Sequence, residues 1–297
     1  MFNQITIIGF GLIGSSIARA IIEKKIAQSI VCVDQDQEVC NRALALGIAD
    51  EGTIDPSLGV EGSDVVILCC PVGAMEQVGS RIAGHLKQGA IVTDAGSVKG
   101  SVIEMLQPRL PNHVHLVPAH PISGAEKTGP DNGFAELFIN RWCIITPLPH
   151  TELQAIEKVT QLWEAMGAMV EIMDADHHDL VLGLTSHLPH LIAYSVVGTA
   201  TDLEDDIKSE VIKFSAGGFR DFTRIAASDP TMWRDVFLNN KDAVLEVLQR
   251  FTEDLTALQK AIRKGDGEYL YRQFTETREI RRAIIDAGQA DYLDPDV

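Results

Sequence analysis

The sequence has too few basic residues to balance its acidic ones. Its 297 residues include 25 Lys and Arg against 42 Asp and Glu, a formal net charge of −17. We find no basic patch or tail along the chain that could neutralise phosphates. We therefore expect neither a nucleic acid nor an anionic membrane surface as a partner, since both need clustered Lys and Arg.

The chain also lacks a long apolar segment and a cysteine framework. The longest uninterrupted apolar run, Val65–Val72, is far shorter than the roughly 20 residues that span a bilayer. A strand pattern begins by Ile5, which leaves no room for a secretion signal. The five cysteines are odd in number and have no C-x-x-C spacing, which indicates buried thiols, neither disulfides nor zinc ligands. These absences predict a cytoplasmic protein without a metal site.

The length of the chain predicts two domains. The first half alternates β-rich runs with helical ones, an order typical of a mostly parallel sheet with helices on both faces. The predicted strands are Ile5–Ile8, Ile30–Val33, Val65–Cys69, Ile91–Asp94, His115–Pro118, Cys143–Thr146 and Ala168–Met173. The predicted helices among them are Gly14–Lys24, Glu38–Leu46, Gly100–Leu110 and Glu152–Met166.

From Asp174 onward the strand pattern stops. Asp176–Thr201 has apolar residues on every side, which predicts a helix that is buried all round. Asp242–Lys264 predicts an amphipathic helix, and a last helix is predicted near Glu268–Ala287. The predicted fold class is α/β, with an N-terminal α/β domain at residues 1–174 and an all-α domain at residues 175–297.

A glycine motif directly follows the first predicted strand and opens the first predicted helix. Residues 9–14 have the spacing G-x-G-x-x-G. The first glycine permits a tight turn, the second lets the backbone approach a pyrophosphate, and the third lets helix and strand pack closely. The free N–H groups of the helix N-terminus bind the anion. The motif predicts a Rossmann-type dinucleotide-binding domain, and its predicted cofactor-binding residues are Gly9, Gly11, Leu12, Ile13 and Gly14.

Asp34 follows the motif by 20 residues, at the end of the second predicted strand. A carboxylate at this position accepts hydrogen bonds from ribose hydroxyls and repels a 2′-phosphate, which predicts NAD as the cofactor in preference to NADP. A 2′-phosphate would need an arginine, and the only basic residue close behind is Arg42, on the following helix. The alternative is an ordinary glycine-rich turn without a cofactor.

Ser97 and His120 follow predicted strands, at the edge where ligands bind in open α/β sheets. Ser97 is either a catalytic hydroxyl or the N-cap of the next helix, and both roles are compatible. His120 is either a catalytic imidazole or a hydrogen-bonding residue at a strand end.

His187 and His190 are three residues apart on the long apolar helix, so they share one face. Pro189 removes a backbone donor between them, which predicts a kink. The pair could bind a metal or form a satisfied core pair. A metal site needs further ligands, and the nearest candidates, His177, His178 and Asp179, lie about two turns away. We therefore predict no zinc site.

Arg220 and Arg224 lie four residues apart in a segment that opens with two glycines. Arginine suits bidentate recognition of a carboxylate. On an acidic protein, two such residues predict a locally positive site for a small carboxylate, to which Lys99 or Lys127 could contribute. The alternative is a solvated face on which they pair with Asp221.

Five motifs carry a resemblance to a known family: GFGLIGSS, DAGSVK, AHPISGAEKTG, DADHHDLVLGLTSHLPH and GGFRDFTRIAASDPTMWRD. With them the chain resembles the prephenate/arogenate (cyclohexadienyl) dehydrogenases of tyrosine biosynthesis along essentially its whole length. The resemblance implies an oxidative decarboxylation in which a cyclohexadienyl ring loses hydride from C4 to NAD and then CO2. It also implies that the all-α domain binds the substrate and forms a homodimer.

The resemblance assigns roles to the candidate residues. It implies His120 as the base that takes the C4 hydroxyl proton, and Ser97 as a hydrogen-bonding partner of the same hydroxyl. It implies that His187 and His190 shape the pocket of a small-molecule dicarboxylate. Arg220 is expected to hold a substrate carboxylate, with Arg224 in support.

We expect no regulatory domain and no fused mutase domain, because only Asp291–Val297 follows the last predicted helix. Two other functions compete with this interpretation. A β-hydroxyacid dehydrogenase would need a lysine on the first helix of its second domain, but no Lys or Arg occurs from Val159 to Ile207. A non-catalytic NAD-binding sensor would leave His120, His190 and Arg220 without a role.

Overall fold

The computed structural model describes residues 2–124, 129–201, 213–214 and 217–284. The chain divides into two compact units, Met1–Val244 and Leu245–Val297. The predicted α/β fold class is confirmed, because all strands of the described residues lie before residue 173 and the later elements are helical. The domain boundary predicted at residues 174/175 stays a prediction. By their contacts, residues up to Val244 belong to the first unit.

A six-stranded parallel sheet lies at the centre of the first unit. Its strand order is β3-β2-β1-β4-β5-β6, which places β1 between β2 and β4. The strands are β1 (Phe2–Ile8), β2 (Ala27–Val33), β3 (Glu51–Thr53), β4 (Val65–Leu68), β5 (Ile91–Asp94) and β6 (His115–Leu116). The helices of this part are α1 (Leu12–Lys24), α2 (Gln37–Ala45), α3 (Pro56–Gly59), α4 (Met75–Ile82) and α5 (Gly100–Leu106). The order reverses next to β1, and ligands bind beyond the carboxyl ends of strands at such a point.

The last three strands form a second sheet, so the single sheet expected from the sequence is wrong. Antiparallel β7 (Ala119–Pro121) and parallel β9 (Met169–Ile172) flank β8 (Trp142–Ile145). The chain leaves the first sheet at Pro118, which has no N–H to donate to β5. Instead, its carbonyl accepts the N–H of Thr146. Helix α6 (Leu153–Ala165) connects β8 to β9.

The described elements of the first unit after β9 are helical, and the longest helical stretch among them is irregular. Helix α7 (Ala175–Leu182) continues through a π-helical turn (Gly183–His187) into α8 (Leu188–Thr201). The turn ends two residues before Pro189, whose missing N–H interrupts the helical hydrogen bonds. The sequence predicted a kink at Pro189, and the structure has a π-helical turn just before it; the kink itself stays a prediction.

The prediction that this helix is buried all round is wrong. Leu184 is 57% exposed and Leu180 is 39% exposed, whereas His187 and Ala193 are buried. By length and composition, the stretch Ala175–Ala200 is long and apolar enough to cross a membrane. It does not form an uninterrupted apolar run, because polar residues occur within it. It is a core helix, because it carries the buried side chains of His178 and His187 into the protein interior.

Two shorter helices complete the first unit: α9 (Gly217–Thr223) and α10 (Pro230–Asn239). Helix α10 begins with an N-cap in which the Asp229 side chain accepts the N–H of Met232. Trp233 and Val236 on its buried face pack against Val98, which follows β5. This contact joins the helical part to the loop that carries Ser97.

The second unit contains most of the amphipathic helix and the described part of the last helix that were expected at the C-terminal end. Helix α11 (Lys241–Lys264) enters it from the first unit, and α12 (Gly267–Ile284) follows. Several large apolar side chains of these helices are more than half exposed: Leu245, Leu255, Ile262, Tyr271, Phe274 and Ile280. Residues 285–287 of the last predicted helix lie outside the described residues. The expectation of no further domain depends on the C-terminal residues, which also lie outside them.

Candidate active site

The turn between β1 and α1 needs glycine at two positions and leaves space at a third. Gly9 has a φ of +95°, and a Cβ there would lie 2.7 Å from the Cys69 backbone. A Cβ on Gly14 would lie 2.1 Å from the carbonyl oxygen of Gly9. No atom lies within 4 Å of the corresponding position on Gly11. The first and third glycines are therefore required by packing, and the second borders open space.

Asp34 lies beside this turn at the carboxyl end of β2. Its Oδ2 accepts the N–H of Phe10 at 2.8 Å, and its Oδ1 accepts the N–H of Asp36 at 3.1 Å. Each carboxylate oxygen has more than one lone pair, so both can still accept a hydroxyl. The open space at Gly11, the uncapped N-terminus of α1 and this carboxylate together suit the pyrophosphate and ribose of a dinucleotide.

Arg42 on α2 is held by a residue far away in the sequence. Its guanidinium donates to Oδ1 of Asp131, with the Nε at 2.9 Å. Asp131 belongs to the segment after β7 that also contacts α1 through Pro130, whose carbonyl accepts from Arg19. The one basic residue close behind Asp34 is therefore already paired with a carboxylate.

His120 is buried on β7 and hydrogen-bonded to a second histidine. Its Nδ1 lies 2.8 Å from Nε2 of His178 on α7, and Nδ1 of His178 lies 2.8 Å from Oδ1 of Asp179. Burial lowers the pKa of His120 well below its usual value, and the nearby His178, Lys99 and His187 lower it further. Burial also lowers the pKa of His178, although Asp179 opposes the shift. Both imidazoles are therefore neutral bases at physiological pH.

Asp179, and not Ser97, caps the N-terminus of α5. The two carboxylate oxygens of Asp179 accept the N–H groups of Lys99 and Gly100, each at 2.8 Å. The helix-capping alternative for Ser97 is therefore wrong, because α5 begins three residues later and is capped from another element. The side chain of Ser97 is half-buried in the loop after β5.

Lys99 is fully buried and paired with Asp94 at the end of β5. Its ammonium also donates to the carbonyl of Ala119 at 2.8 Å, next to His120. Burial lowers the pKa of Lys99, while Asp94 raises it. The expected contribution of Lys99 to a positive substrate cleft is wrong, since the side chain has no exposed surface. Lys127, the other lysine considered, lies outside the described residues.

His187 ends the π-helical turn with one nitrogen satisfied and one not. Its Nδ1 lies 3.0 Å from Nδ2 of Asn240, a group that also donates to the carbonyl of Asp179. Because the amide group donates, Nε2 carries the proton of the neutral ring, and this atom is buried without a partner among the described residues. Burial lowers the pKa of His187 to about 4, so the ring is neutral at physiological pH.

His190 stacks on Trp233 of α10. The ring centroids lie 3.6 Å apart with an interplanar angle of 23°, and Nδ1 of His190 donates to the carbonyl of Ser186 at 2.8 Å. Burial lowers the pKa of His190, the bond to Ser186 partly offsets this, and the charge of Arg224 lowers it again. Arg224 is therefore close enough to His190 to act on it electrostatically.

The two predicted arginines lie in different surroundings. Arg220 on α9 has its Nε 3.4 Å from Oδ1 of Asp221, and its side chain is 76% exposed. Arg224 follows α9 and is linked through His190 to the buried histidines. The structure thus connects His120, His187, His190 and Arg224, whereas the described contacts of Arg220 are those of the solvated alternative.

Sequence reasoning missed several members of this site. His178 and Asp179 were considered only as distant metal ligands, and Asn240 and Trp233 were not considered. Their contacts join residues up to 80 positions apart, which no local pattern indicates. One signal was available: DADHHDLVLGLTSHLPH places His178 and Asp179 in the same family motif as His187.

The fold and this site define an NAD-dependent oxidoreductase with a Rossmann-type domain and a histidine-rich centre. The family model "Prephenate dehydrogenase, nucleotide-binding domain" matches residues 17–172, and "Prephenate dehydrogenase, dimerization domain" matches residues 174–276. The chain belongs to the prephenate dehydrogenase family. It is an oxidoreductase of the prephenate/cyclohexadienyl dehydrogenase type that acts in tyrosine biosynthesis with NAD as its cofactor.

Individual relatives cover nearly the whole chain. It is 46% identical over 284 residues to the cyclohexadienyl dehydrogenase of Zymomonas mobilis, covering 96% of this chain and 97% of that protein. It is 33% identical to the prephenate dehydrogenase of Bacillus subtilis, covering 96% of this chain and 76% of the relative. The crystal structure of prephenate dehydrogenase from Aquifex aeolicus with hydroxyphenyl propionate and NAD+ is similar, with a TM-score of 0.89, 34% identity, and coverage of 96% and 99%.

Proposed function

We propose that this protein oxidises and decarboxylates prephenate to 4-hydroxyphenylpyruvate, arogenate to tyrosine, or both, with the reaction centred on His120. The observation that carries the proposal is the buried, neutral imidazole of His120, at the carboxyl side of the sheet and electrostatically linked to His187. A group that takes a hydroxyl proton must be unprotonated at working pH, and the lowered pKa of His120 provides this form. NAD, when bound, accepts the hydride that leaves C4.

Ser97 is proposed to hydrogen-bond the same substrate hydroxyl. Its loop is anchored before Ser97 by the N–H of Gly96, which donates to Asp94, and after Ser97 by the packing of Val98 against Trp233. A hydroxyl on a loop fixed at both neighbours keeps its direction without needing a partner of its own. That rigidity suits a group that orients a substrate.

His187 and His190 are proposed to line the substrate pocket. The Nε2 proton of His187 is a buried donor without an acceptor among the described residues, and a substrate oxygen would satisfy it. The Nδ1 proton of His190 is taken by Ser186, which leaves its Nε2 as an acceptor. Stacking on Trp233 fixes the plane of that ring.

Arg224 is proposed to bind a carboxylate of the substrate, with Arg220 in a supporting role. The sequence suggested the opposite order. The reversal is supported by the electrostatic link from Arg224 to His190 and by the exposed pairing of Arg220 with Asp221. A dianionic substrate needs at least one guanidinium near the pocket of a protein with a net charge of −17.

Gly9, Gly11, Leu12, Ile13, Gly14 and Asp34 are proposed to bind NAD. The backbone of the turn and the N-terminus of α1 hold the pyrophosphate, and Asp34 accepts from the adenosine ribose. Discrimination against NADP follows from the Asp34 charge and from the pairing of Arg42 with Asp131, which occupies the nearest guanidinium.

Replacing Gly11 with Ala is expected to weaken NAD binding by at least about tenfold without lowering the melting temperature of the free protein. The backbone at Gly11 has a φ of −70°, which alanine adopts readily, and the new methyl group meets no protein atom. It lies where the pyrophosphate must approach the backbone. Calorimetric titration with NAD and thermal unfolding measure the two quantities.

The matched control is Gly14→Ala, which places the same methyl group against the Gly9 carbonyl. This variant should lower the melting temperature by several degrees, because an overpacked core contact costs about 1–3 kcal/mol. An unchanged NAD affinity in Gly11→Ala would contradict the proposed position of the pyrophosphate.

The overall reaction is tested by following NADH absorbance with prephenate and arogenate, each with NAD and NADP. We expect NADH from at least one of the two substrates and a higher kcat/KM with NAD than with NADP. No reduced cofactor from either substrate would instead favour the sensor alternative.

A homodimer formed through the helical C-terminal part is proposed as the working assembly. The C-terminal part matches a dimerisation-domain model, and α11 and α12 expose Ile262 and Phe274, apolar groups that an isologous interface would bury. Sedimentation at micromolar concentration should give twice the mass of one chain. The double variant Ile262→Glu/Phe274→Glu should shift it to monomer, whereas Leu153→Glu, at a still more exposed leucine on α6, should not.

The proposed compartment is the cytoplasm. All five cysteines are free, and burial raises the pKa of the thiols of Cys69, Cys70 and Cys143. Unpaired, unreactive thiols of this kind are typical of a reducing environment.

A further inference from the structure

The imidazoles of His120 and His178 are arranged in series with the carboxylate of Asp179. An ionised carboxylate only accepts hydrogen bonds, so Nδ1 of His178 carries the proton that Asp179 accepts. Nε2 of the neutral His178 ring is then an acceptor, and Nδ1 of His120 must donate to it. This leaves Nε2 as the unprotonated nitrogen of His120.

Nε2 of His120 is the ring nitrogen that the contact with His178 does not use. His120 retains 8% of its surface. The hydrogen-bonded series therefore directs the basic nitrogen of His120 away from His178.

Hydrogen bonds fix the side chain of Asp179, so it does not rotate together with the imidazole rings. Its oxygens accept the N–H groups of Lys99 and Gly100 at the start of α5, and its carbonyl accepts from Asn240. The plane of the carboxylate is therefore fixed by a helix terminus on another element. The proton on Nδ1 of His178 is fixed with it.

The buried charges around His120 leave one negative charge in excess. Lys99 is opposed by Asp94, while Asp179 has hydrogen-bond donors but no cationic side chain paired with it among the described contacts. The titratable and charged groups that face His120 from the elements around it are His178 and Asp179 on α7, Lys99 and Asp94 beside β5, His187 on the π-helical turn and Cys143 on β8. When the imidazoles are neutral, this cluster can therefore stabilise one additional positive charge.

We propose that Asp179, acting through His178, is a positioning residue that keeps Nε2 of His120 unprotonated, and that the ring of His178 takes up positive charge during the reaction. This proposal rests on the proposed role of His120. The substrate O–H bond breaks and an N–H bond forms at Nε2 of His120. The Nδ1 proton of His120 then moves to Nε2 of His178, next to Asp179, while the electron pair of the O–H bond forms the C4 carbonyl as hydride leaves for NAD.

The proton must be stored and then returned. When CO2 leaves, its bonding electrons aromatise the ring and the C4 oxygen becomes a phenolate, which takes a proton back from Nε2 of His120. Overall, no proton is released to solvent. An imidazolium at His178 beside the Asp179 carboxylate is a suitable store, because neither group has to exchange its proton with water.

Asp179→Asn tests the proposal. Asparagine replaces one carboxylate oxygen with an NH2 group. With the NH2 at the position of Oδ1, which His178 contacts, Nδ1 of His178 becomes an acceptor and its Nε2 a donor, which puts the proton of His120 on Nε2. With the NH2 at the position of Oδ2, the variant still removes the negative charge beside the His178 cation. A wrong imidazole tautomer costs about 10⁴-fold in the serine-protease triad. We expect kcat to fall by roughly 10²–10⁴-fold with a similar KM, and the acid limb of the pH profile to move down by about 1 pH unit, since the cation loses its negative neighbour.

The control is Asp174→Asn, which changes the N-cap of the same helix. Asparagine caps as well as aspartate, so its kcat and pH profile should equal those of the wild type. Wild-type kcat in a folded, NAD-binding Asp179→Asn enzyme overturns the proposal. A lower kcat with an unmoved acid limb also overturns it, because it indicates a structural role only.

A second pair of variants separates positioning from folding. His178→Gln keeps an oxygen that can accept from Nδ1 of His120, and His178→Phe does not. The first should retain at least about ten times the kcat of the second, and equal values would contradict the positioning role. If His120→Asn retains activity, the proposed function of His120 fails. If His120→Asn loses activity while the Asp179 and His178 variants retain it, the proposed function of His120 stands and only the positioning inference fails.

Discussion

His120→Asn is expected to lower kcat by roughly 10²–10⁴-fold, the usual contribution of a general base, and to leave KM nearly unchanged. Asparagine places an amide group where Nδ1 of histidine lies, so the contact with His178 at 2.8 Å can be kept. It has no atom at the position of Nε2, the nitrogen proposed to take the proton. The variant therefore removes the base without emptying the buried site.

Steady-state rates with prephenate and arogenate at saturating NAD measure this effect. The matched control is His85→Asn, which alters an exposed histidine paired with Glu61 and should not change the rate. A kcat near wild type for His120→Asn would show that another group takes the proton. A rise in KM with unchanged kcat would assign His120 to binding instead.

Arg224→Gln is expected to raise KM by roughly 10- to 150-fold, with a smaller effect on kcat. Loss of a hydrogen bond between charged groups costs about 1.5–3 kcal/mol, and the contact is proposed for both the ground state and the transition state. Glutamine keeps most of the side-chain length, so the loss reflects charge and geometry. Arg224→Lys should give an intermediate KM, because lysine keeps the charge without the planar guanidinium.

Arg220→Gln is the matched comparison, four residues away on the same segment. Its guanidinium is largely exposed beside Asp221, and an exposed ion pair of this kind contributes little. We expect about a twofold change in KM or less. A larger effect at Arg220 than at Arg224 would restore the order of roles inferred from the sequence.

The cofactor half of the protein was predictable because its signals are local. Gly9, Gly11 and Gly14 lie in one turn, and their roles follow from steric rules that hold for any strand–turn–helix unit. Asp34 ends the next strand, and parallel strands bring their carboxyl ends to one edge. Strand β5 was predicted with the bounds that the structure has.

The second sheet and the exposed side of the long helix were not predictable in this way. Strand β7 has three residues, two of which are histidine and proline, and its antiparallel partner β8 follows more than 20 residues later. The apolar composition of Ala175–Ala200 indicates how much surface must be covered. It does not indicate whether this chain or a second copy covers it.

The order of residues was enough to determine the α/β class and the glycine-rich turn after β1, and to predict the chemistry at His120. Each depends on short segments whose geometry follows from backbone sterics and side-chain type. Only the tertiary structure decided that Nδ1 of His120 lies against His178, that Asp179 caps α5, and that the charge of Arg224 acts on His190. These features depend on contacts such as that between Lys99 and Asp179. Burial sets their strength, and burial exists only when distant parts of the chain are packed together.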